Sequence, residues 1–225
     1  MNPGARLIVL GKQGAGKGTQ AVRLSRHYVV PHISTGDMFR SAVRAGTEFG
    51  LRARQYLDAG DLVPDEVVIG VVRERLTRSD TSHRGFVLDG FPRTVAQAEA
   101  LEAMLAPQGL DLAVSLEIDT AHVLARLASR RVCVDCGANY SMPDNPPRVP
   151  GLCDVCGGEV VQRDDDTEVA IRRRLELYEE QTSPLMSWYE GRGLLARVDA
   201  FGTPDEVTER VVTEVDRRRW GRPYA

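Results

Sequence analysis

Apolar residues along the chain form short runs that alternate with longer amphipathic segments. Four of the short apolar runs are strand-like, namely ARLIVL, GFVLD, LAVSLEI and LLARVDA. Each run is followed by a segment with helical periodicity, and these helices are predicted to begin near Lys17, Thr94, Thr120 and Pro204. This alternation predicts βαβ units, and hence an α/β fold with a parallel sheet covered by helices on both faces.

Two stretches interrupt the alternation. Residues from about 35 to 78 carry helical patterns with little strand signal, and residues 132–164 are rich in Gly, Pro, Asp and Cys. An insertion as short as the second one holds too little apolar material to form a core of its own. It is therefore predicted to need another means of staying folded.

Composition places the chain among ordinary globular proteins, because 42% of its 225 residues are hydrophobic and 27% are charged. A formal net charge of −3 gives no electrostatic reason to expect nucleic acid or an anionic membrane as a partner. We find neither an apolar run of about 18 residues nor a secretory leader, so no membrane span is expected. A cytoplasmic location is the default expectation, with the cysteines reduced or bound to metal.

The stretch GKQGAGKGT, residues 11–19, lies between the first predicted strand and the first predicted helix. Glycines let successive backbone N–H groups surround an anion, and the helix N-terminus adds a partial positive charge at the same point. The chain has only two lysines, and both lie here. Lys17 is predicted to reach the β- and γ-phosphates of a nucleotide as a compact cation, whereas Lys12 is expected on the outer surface. The alternative is a glycine-rich turn without a ligand.

The cysteines form two pairs, Cys133-x₂-Cys136 and Cys153-x₂-Cys156, separated by sixteen residues. This spacing is typical of a tetrahedral zinc site, and four thiolates would close the coordination shell, which indicates a structural role. A glycine directly follows each pair and is expected to let backbone N–H groups turn toward sulfur. Two disulfides or four free thiols are the alternatives, and sequence does not separate zinc from iron or another tetrahedral metal.

Seven segments between residues 11 and 175 share the pattern of one family. They are GAGKGTQ, HISTGDMFR, GDLVPDEV, GFVLDGFPRT, SRRVCVDCG, QRDDD and IRRRL. With these segments the chain resembles the long-form adenylate kinases, nucleoside monophosphate kinases that move a phosphoryl group from ATP to AMP. One departure is Gln13, because the family loop usually has proline at this position.

The resemblance implies a P-loop α/β core with a five-stranded parallel sheet, formed by residues 1–33, 65–128 and 167–225. It implies a helical AMP-binding insertion at residues 34–64. Residues 129–166 would form a small lid, kept rigid by zinc, that closes over ATP and excludes water.

The implied reaction is ATP + AMP ⇌ 2 ADP with Mg²⁺, carried out by a monomer that maintains the adenine nucleotide balance. The residues implied in catalysis are Lys17, Asp89, Arg93, Arg126, Arg130, Arg163 and Arg174. Those implied in ATP binding are Gly14, Ala15, Gly16, Lys17, Gly18, Thr19 and Arg126. Those implied in AMP binding are Thr35, Arg40, Val63, Gly90, Arg93, Gln97, Arg163 and Arg174. Zinc would bind Cys133, Cys136, Cys153 and Cys156, and Asp89 would hold Mg²⁺ through ordered water.

Several of these residues have simpler interpretations. Thr35 could cap a helix, with Arg40 on its solvated face, and Thr94-x-x-Gln97 is itself a capping box. Each arginine taken alone could lie on the surface, and only one of three consecutive arginines at residues 172–174 can face a cleft. Asp165 and Asp166 are expected to contact the lid, or else only to favour a helix N-terminus.

Two rival functions remain. A related kinase, such as a UMP/CMP kinase or a GTP-using AMP kinase, would share most motifs, although pyrimidine-specific members usually carry alanine in place of Thr35. A zinc-ribbon nucleic-acid-binding protein with a nucleotide switch would share the cysteine spacing. Acidic residues outnumber arginines in the cysteine segment, however, which makes it a poor surface for a phosphate backbone.

Overall fold

A computed structural model describes residues 4–142, 145–163 and 166–220 of the chain. Its strands are β1 (Arg6–Leu10), β2 (His32–Ser34), β3 (Phe86–Asp89), β4 (Leu112–Glu117), β5 (Arg130–Cys133), β6 (Asn139–Ser141), β7 (Val160–Val161) and β8 (Leu195–Asp199). Its helices are α1 (Lys17–Tyr28), α2 (Thr35–Arg44), α3 (Glu48–Ala59), α4 (Asp65–Leu76), α5 (Ser79–Ser82), α6 (Val95–Leu105), α7 (Thr120–Ser129), α8 (Glu168–Leu177), α9 (Pro184–Glu190) and α10 (Pro204–Trp220). A π-helical turn at Tyr178–Thr182 joins α8 to α9.

Five strands form a parallel sheet in the order β2-β3-β1-β4-β8. The apolar pattern predicted four of them correctly, since β1, β3, β4 and β8 coincide with the four runs. The fifth strand, β2, has three residues and lies at the edge beside β3. Such a short strand leaves no periodic signal, so only the family resemblance implied it.

The predicted helix starts are confirmed, and each has a local cause. Gly16, the N-cap of α1, adopts a left-handed conformation, and the helix begins at the next residue, Lys17. The Thr94 side chain accepts a hydrogen bond from the backbone of α6, and the Asp119 side chain does the same for α7. Pro204 is the first residue of α10. The N–H at this position has no partner within a helix, so proline can stand here without the loss of a hydrogen bond.

Both faces of the large sheet are buried. Ile8 and Leu88 pack beneath α4, α6 and α9, whereas Leu7 and Val114 pack against α1 and α10. Burial on both faces explains why these strands are continuous apolar runs rather than alternating ones. The two packed layers hold the carboxyl ends of the strands in fixed positions, which is the edge where ligands bind in open α/β sheets.

The two stretches that interrupt the alternation contain helices in the first case and a second, smaller sheet in the other. Residues 35–78 are helical as predicted, with α2 and α3 packed on each other. The cysteine-containing segment forms an antiparallel sheet in the order β6-β5-β7. Within the three described ranges, no helix combines the length and apolar character needed to span a membrane.

Candidate active site

The glycine-rich loop follows β1 and leads directly into α1. Gly11, Gly14 and Gly16 all have positive φ angles, of 138°, 85° and 99°. L side chains rarely adopt these conformations, so the loop depends on glycine at these positions. Ala15 closes the turn by donating its N–H to the Lys12 carbonyl at 3.1 Å. The loop therefore presents the N-terminus of α1 at the carboxyl edge of the sheet.

Lys17, the first residue of α1, folds back over this loop. Its ammonium donates hydrogen bonds to two loop carbonyl oxygens, at 2.8 and 2.9 Å. Burial lowers the pKa of Lys17 to about 8; the charge of Asp89 opposes this shift, and the nearby Arg93 and Arg130 add to it. Three further charged residues from different parts of the chain thus lie close enough to act on Lys17.

Asp89 ends β3 beside the phosphate loop. A Cβ atom on Gly18 would lie 3.3 Å from Asp89 Oδ2, a tight contact that glycine avoids. Burial alone would raise the pKa of Asp89, but His32, whose Nε2 lies 3.9 Å away, and the cation Lys17 outweigh it. The net pKa is below the ordinary value, so Asp89 stays ionised at neutral pH.

A second carboxylate, Asp166, lies among the arginines and has a fully buried side chain. Arg130 binds it through two nitrogens, with Nε at 2.8 Å from Oδ2 and Nη2 on Oδ1. Arg174 Nη1 lies 3.8 Å away, and Gln13 Nε2 donates to Oδ1 at 3.2 Å. Asp166 therefore connects the phosphate loop to two arginines predicted to bind phosphate.

The helix-terminus interpretation of this acidic run does not hold for Asp166. The N-cap of α8 is Thr167, whose side chain accepts a hydrogen bond from Ala170, while the Asp166 side chain points at arginines. Asp165, for which a contact with the lid was also expected, lies outside the described residues.

Replacement of Asp166 with asparagine is expected to lower the free energy of unfolding by about 3 kcal/mol. The asparagine would remove the buried carboxylate that Arg130 binds through two nitrogens, and breaking one partner out of a buried pair is strongly destabilising. Urea unfolding measures the change. The exposed Glu168–Arg172 pair supplies the control, because Glu168→Gln should shift stability by less than about 0.5 kcal/mol. A loss below about 1 kcal/mol for Asp166→Asn would contradict this account.

Thr35 lies at the other side of the loop, toward the β2 edge. Its side chain is buried, and its hydroxyl donates to the Gly90 carbonyl at 2.9 Å. The cap interpretation of Thr35 is wrong, because the N-cap of α2 is Ser34, which accepts a hydrogen bond from Asp37. A Cβ on Gly90 would lie 2.9 Å from the Thr35 hydroxyl, so the close approach of these two segments requires glycine there.

Arg40 and Arg163 converge on Asp37. Arg40 Nη2 lies 2.6 Å and Arg163 Nη2 3.7 Å from Asp37 Oδ1, and both arginine side chains are mostly buried. The solvated-face interpretation of Arg40 is therefore wrong. Burial would raise the pKa of Asp37, but the two arginines more than offset it and the net pKa is lowered. This contact brings a residue of the predicted AMP-binding insertion next to one of the predicted lid.

Gln97 makes only half of the predicted capping box. Its backbone N–H donates to the Thr94 hydroxyl, but its side-chain Oε1 accepts from the N–H of Arg93 at 2.8 Å instead of from Thr94. The amide nitrogen donates to Asp65 Oδ1 at 2.7 Å. Asp65 lies in the segment GDLVPDEV, where no local sequence pattern indicates a role for it.

A narrow pocket lies between these elements. Its lining includes Thr35, Phe39, Val63, Gly90, Arg93 and Gln97. Its cavity measures about 30 Å³, which is room for one or two water molecules. A purine base needs far more space, so binding here requires the surrounding segments to move apart.

Among the three consecutive arginines, Arg174 is turned inward. Arg172 and Arg173 are 72% and 43% exposed and pair with surface carboxylates, whereas Arg174 is 14% exposed and donates to the Leu57 carbonyl at 2.8 Å. Of the three consecutive arginines, Arg174 is thus the one whose side chain is mostly buried.

Arg126 lies on the opposite side of the phosphate loop from Thr35. Its Nη2 donates to the carbonyls of Ala200 and Gly202, at 3.2 and 3.4 Å, in the loop that follows β8. Because β8 and β2 are the two edges of the sheet and β1 lies between them, Arg126 and the pocket beside Thr35 lie on opposite sides of the phosphate loop.

Lys12, given no role by sequence, is not simply a surface residue. Its ammonium lies 2.9 Å from Glu179 Oε1 and 3.0 Å from the Thr120 hydroxyl, and its side chain is 24% exposed. Through these two contacts Lys12 connects the phosphate loop to the start of α7 and to the π-helical turn.

The four cysteine sulfurs all lie within 4.8 Å of one another, although no bond joins them. The sulfurs of Cys133 and Cys156, and those of Cys136 and Cys153, are each 3.5 Å apart, well beyond a disulfide bond. Tetrahedral zinc–thiolate bonds of about 2.3 Å would place the sulfurs about 3.8 Å apart. The donor set and its spacing fit a tetrahedral metal.

One of these sulfurs, Cys153 Sγ, also accepts two hydrogen bonds. The Tyr140 hydroxyl and the Val155 N–H donate to Cys153 Sγ, at 3.3 and 3.4 Å, which favours a thiolate. The expectation for the glycines that follow each pair is confirmed, because the backbone N–H groups of the next residues, Ala138 and Gly158, donate to the sulfurs of Cys136 and Cys156. Gly137 and Gly157 themselves donate to the carbonyls of Cys133 and Cys153. Their φ angles of 73° and 76° show that they close tight turns.

Comparison with known proteins points to the same family as the motifs. A family model described as adenylate kinase matches residues 9–194. An adenylate kinase of Moorella thermoacetica is 54% identical over 196 residues, which cover 86% of this chain and 90% of that protein. Adenylate kinases of Acidothermus cellulolyticus and Geobacter sulfurreducens are each 51% identical, covering 96% and 93% of this chain and 100% and 97% of their own lengths. With a phosphate loop at the start of α1 and relatives this similar over nearly all its length, the chain belongs to the adenylate kinase family.

Proposed function

We propose that the protein catalyses the reversible transfer of a phosphoryl group from ATP to AMP, which gives two ADP. The observation that carries this proposal is the convergence of cations on the cleft around the phosphate loop. Residues that are far apart in sequence, among them Arg93 and Arg130, lie near enough to Lys17 to lower its pKa. The family membership supports the choice of substrates.

Phosphoryl transfer needs alignment and positive charge and little covalent chemistry from the protein. The phosphate loop and Lys17 would hold the donor phosphates, with Arg126 on the donor side. Arg40 and Arg93 would hold the acceptor phosphate. The remaining cations would surround the group that moves; they are Arg130, Arg163 and Arg174. Before nucleotides bind, Asp37, Asp89 and Asp166 hold several of these cations in position at the cleft.

Mg²⁺ is implied by the family, and Asp89 is the carboxylate that fits it best. It lies beside the phosphate loop at Gly18 and remains ionised because of its lowered pKa. Mg²⁺ prefers oxygen ligands and keeps several of its own waters, so a single carboxylate acting through water would suffice. When bound with ATP, the ion neutralises charge on the phosphates.

The cysteine cluster would hold zinc in a structural role. The four sulfurs fill a tetrahedral shell and leave no position for a substrate. We also infer a cytoplasmic monomer, since unbridged cysteines suit a reducing compartment and the family pattern is monomeric.

Steady-state rates with different acceptors test the proposal. With ATP as donor, kcat/KM for AMP is expected to exceed that for CMP, UMP and GMP by at least about a hundredfold, because the pocket presents an amide and a hydroxyl to the base. With AMP as acceptor, ATP and GTP are compared as donors. A preference for CMP or UMP would show a pyrimidine-specific kinase, and a preference for GTP would show the GTP-using relative.

A further inference from the structure

The side-chain amide of Gln97 has a single chemically consistent orientation. Its Oε1 lies 2.8 Å from the backbone nitrogen of Arg93, and its Nε2 lies 2.7 Å from Asp65 Oδ1. A backbone N–H can only donate and an ionised carboxylate can only accept. The oxygen of the amide must therefore face Arg93, and its nitrogen must face Asp65.

Asp65 is itself held in place. Its second oxygen, Oδ2, accepts a hydrogen bond from the Thr94 hydroxyl at 2.8 Å. It is also the first residue of α4, where the helix N-terminus favours a negative charge. The acceptor that faces Gln97 is thus fixed from two directions.

Rotation of the Gln97 amide by 180° would create two mismatches. The amide N–H₂ would face the N–H of Arg93, and the amide oxygen would face the carboxylate of Asp65. Gln97 is 1% exposed, so water cannot relieve either contact. In the fixed orientation, these two contacts leave one N–H and one oxygen lone pair of the amide for a ligand.

Purines differ at the edge that such an amide can bind. Adenine presents an amino donor next to a ring-nitrogen acceptor, whereas hypoxanthine and guanine present a carbonyl acceptor next to an N–H donor. An amide in one orientation pairs with adenine, and the same amide rotated by 180° pairs with the 6-oxopurines. Orientation of the amide therefore decides which purine is accepted.

We propose that Asp65 is a positioning residue for base specificity, because it acts together with the Arg93 N–H to hold the Gln97 amide in the orientation that selects adenine over 6-oxopurines. This inference rests on the proposed function, in which the base of AMP contacts Gln97. Asp65 does not touch the nucleotide in this account and acts through Gln97.

The Asp65→Asn variant tests the proposal, since asparagine has the same size but can donate as well as accept. Rates are measured with AMP and with IMP, a 6-oxopurine nucleotide that lacks the second amino group of GMP. The ratio of kcat/KM for AMP to that for IMP is expected to fall at least tenfold, with a gain for IMP as well as a loss for AMP. Asp58→Asn is the control, because Asp58 is exposed and pairs only with Arg54 in the described structure, and its ratio should equal that of the wild type.

The ratio of the two kcat/KM values distinguishes a positioning role from a general loss of activity. Asp65→Glu keeps an ionised acceptor and is expected to retain the preference for AMP. An unchanged ratio in Asp65→Asn, or an equal loss of both rates, would overturn the proposal. Failure of the wild type to use AMP would instead overturn the proposed function.

Discussion

Replacement of Lys17 with methionine is expected to lower kcat about a thousandfold while leaving the fold at least as stable as that of the wild type. Loss of one preorganised charge at the transferring group is the source of the kinetic effect. The stability effect follows from burial, because Lys17 has a pKa of about 8 in the folded protein against 10.5 for the ordinary side chain. Holding this buried charge at pH 7 is unfavourable by at most about 3 kcal/mol.

The pH dependence of that stability has a definite sign. Between about pH 8 and pH 10.5 the unfolded chain binds more protons at Lys17 than the folded protein does, so the wild type gains stability as the pH rises. Any advantage of Lys17→Met in urea unfolding should therefore be largest below pH 8 and shrink above it. Lys17→Arg provides the matched variant, and it should also be inactive because the planar guanidinium does not replace a compact ammonium in a tight loop. Retention of more than a tenth of wild-type kcat by either variant would contradict the role given to Lys17.

Replacement of Cys153 with serine is expected to release the metal and lower the melting temperature by about 10 °C or more. Cys153 is a buried member of the cluster, and the small sheet around it has little apolar core of its own. Metal bound to a structural cysteine site contributes its binding free energy directly to folding. A loss of several kcal/mol corresponds to such a shift for a chain of this length.

Zinc content and melting temperature, each measured with and without a chelator, test the structural site. The chelator should lower the melting temperature of the wild type and leave that of Cys153→Ser unchanged. Tyr140→Phe is the control, because it removes the hydrogen bond to Cys153 Sγ but keeps all four thiols, and it should retain the metal with a loss of about 1 kcal/mol. An unchanged melting temperature with full zinc content in Cys153→Ser would refute the site.

The sequence predicted the parts of the fold that are determined locally. Strands β1, β3 and β4 are buried on both faces, so their apolar runs are unambiguous, and β8 at the sheet edge keeps three buried apolar residues. Helix starts depend on one or two residues at the boundary, such as Thr94 and Pro204, and were predicted closely. Strand β2 has one buried residue, Ile33, and its pairing with β3 is a tertiary event that no local pattern indicates.

The candidate site also contains residues that a local sequence pattern predicts and residues that depend on tertiary contacts. The phosphate loop and Lys17 are contiguous in sequence, and the cysteine spacing is a local pattern as well. The partners of Asp166 and Asp65 were not predicted, because they are far away in sequence. Asp166 contacts residues that are 36 and 153 positions away, and Asp65 contacts one that is 32 positions away. Thr35 was interpreted as a possible cap because Ser34 and Thr35 are equally good cap residues by type, and only the backbone at Ser34 decides between them.

The central claim is that two nucleotides meet end to end across the phosphate loop, one on the β2 side and one on the β8 side. Calorimetric titration with a dinucleotide in which a phosphate chain links two adenosines tests it directly. The account predicts one ligand per chain, tighter binding than ATP or AMP alone, and loss of both ATP and AMP binding once the ligand is bound. A complex that blocks ATP but still binds AMP would show that the two nucleotides do not share this cleft, and would contradict the account.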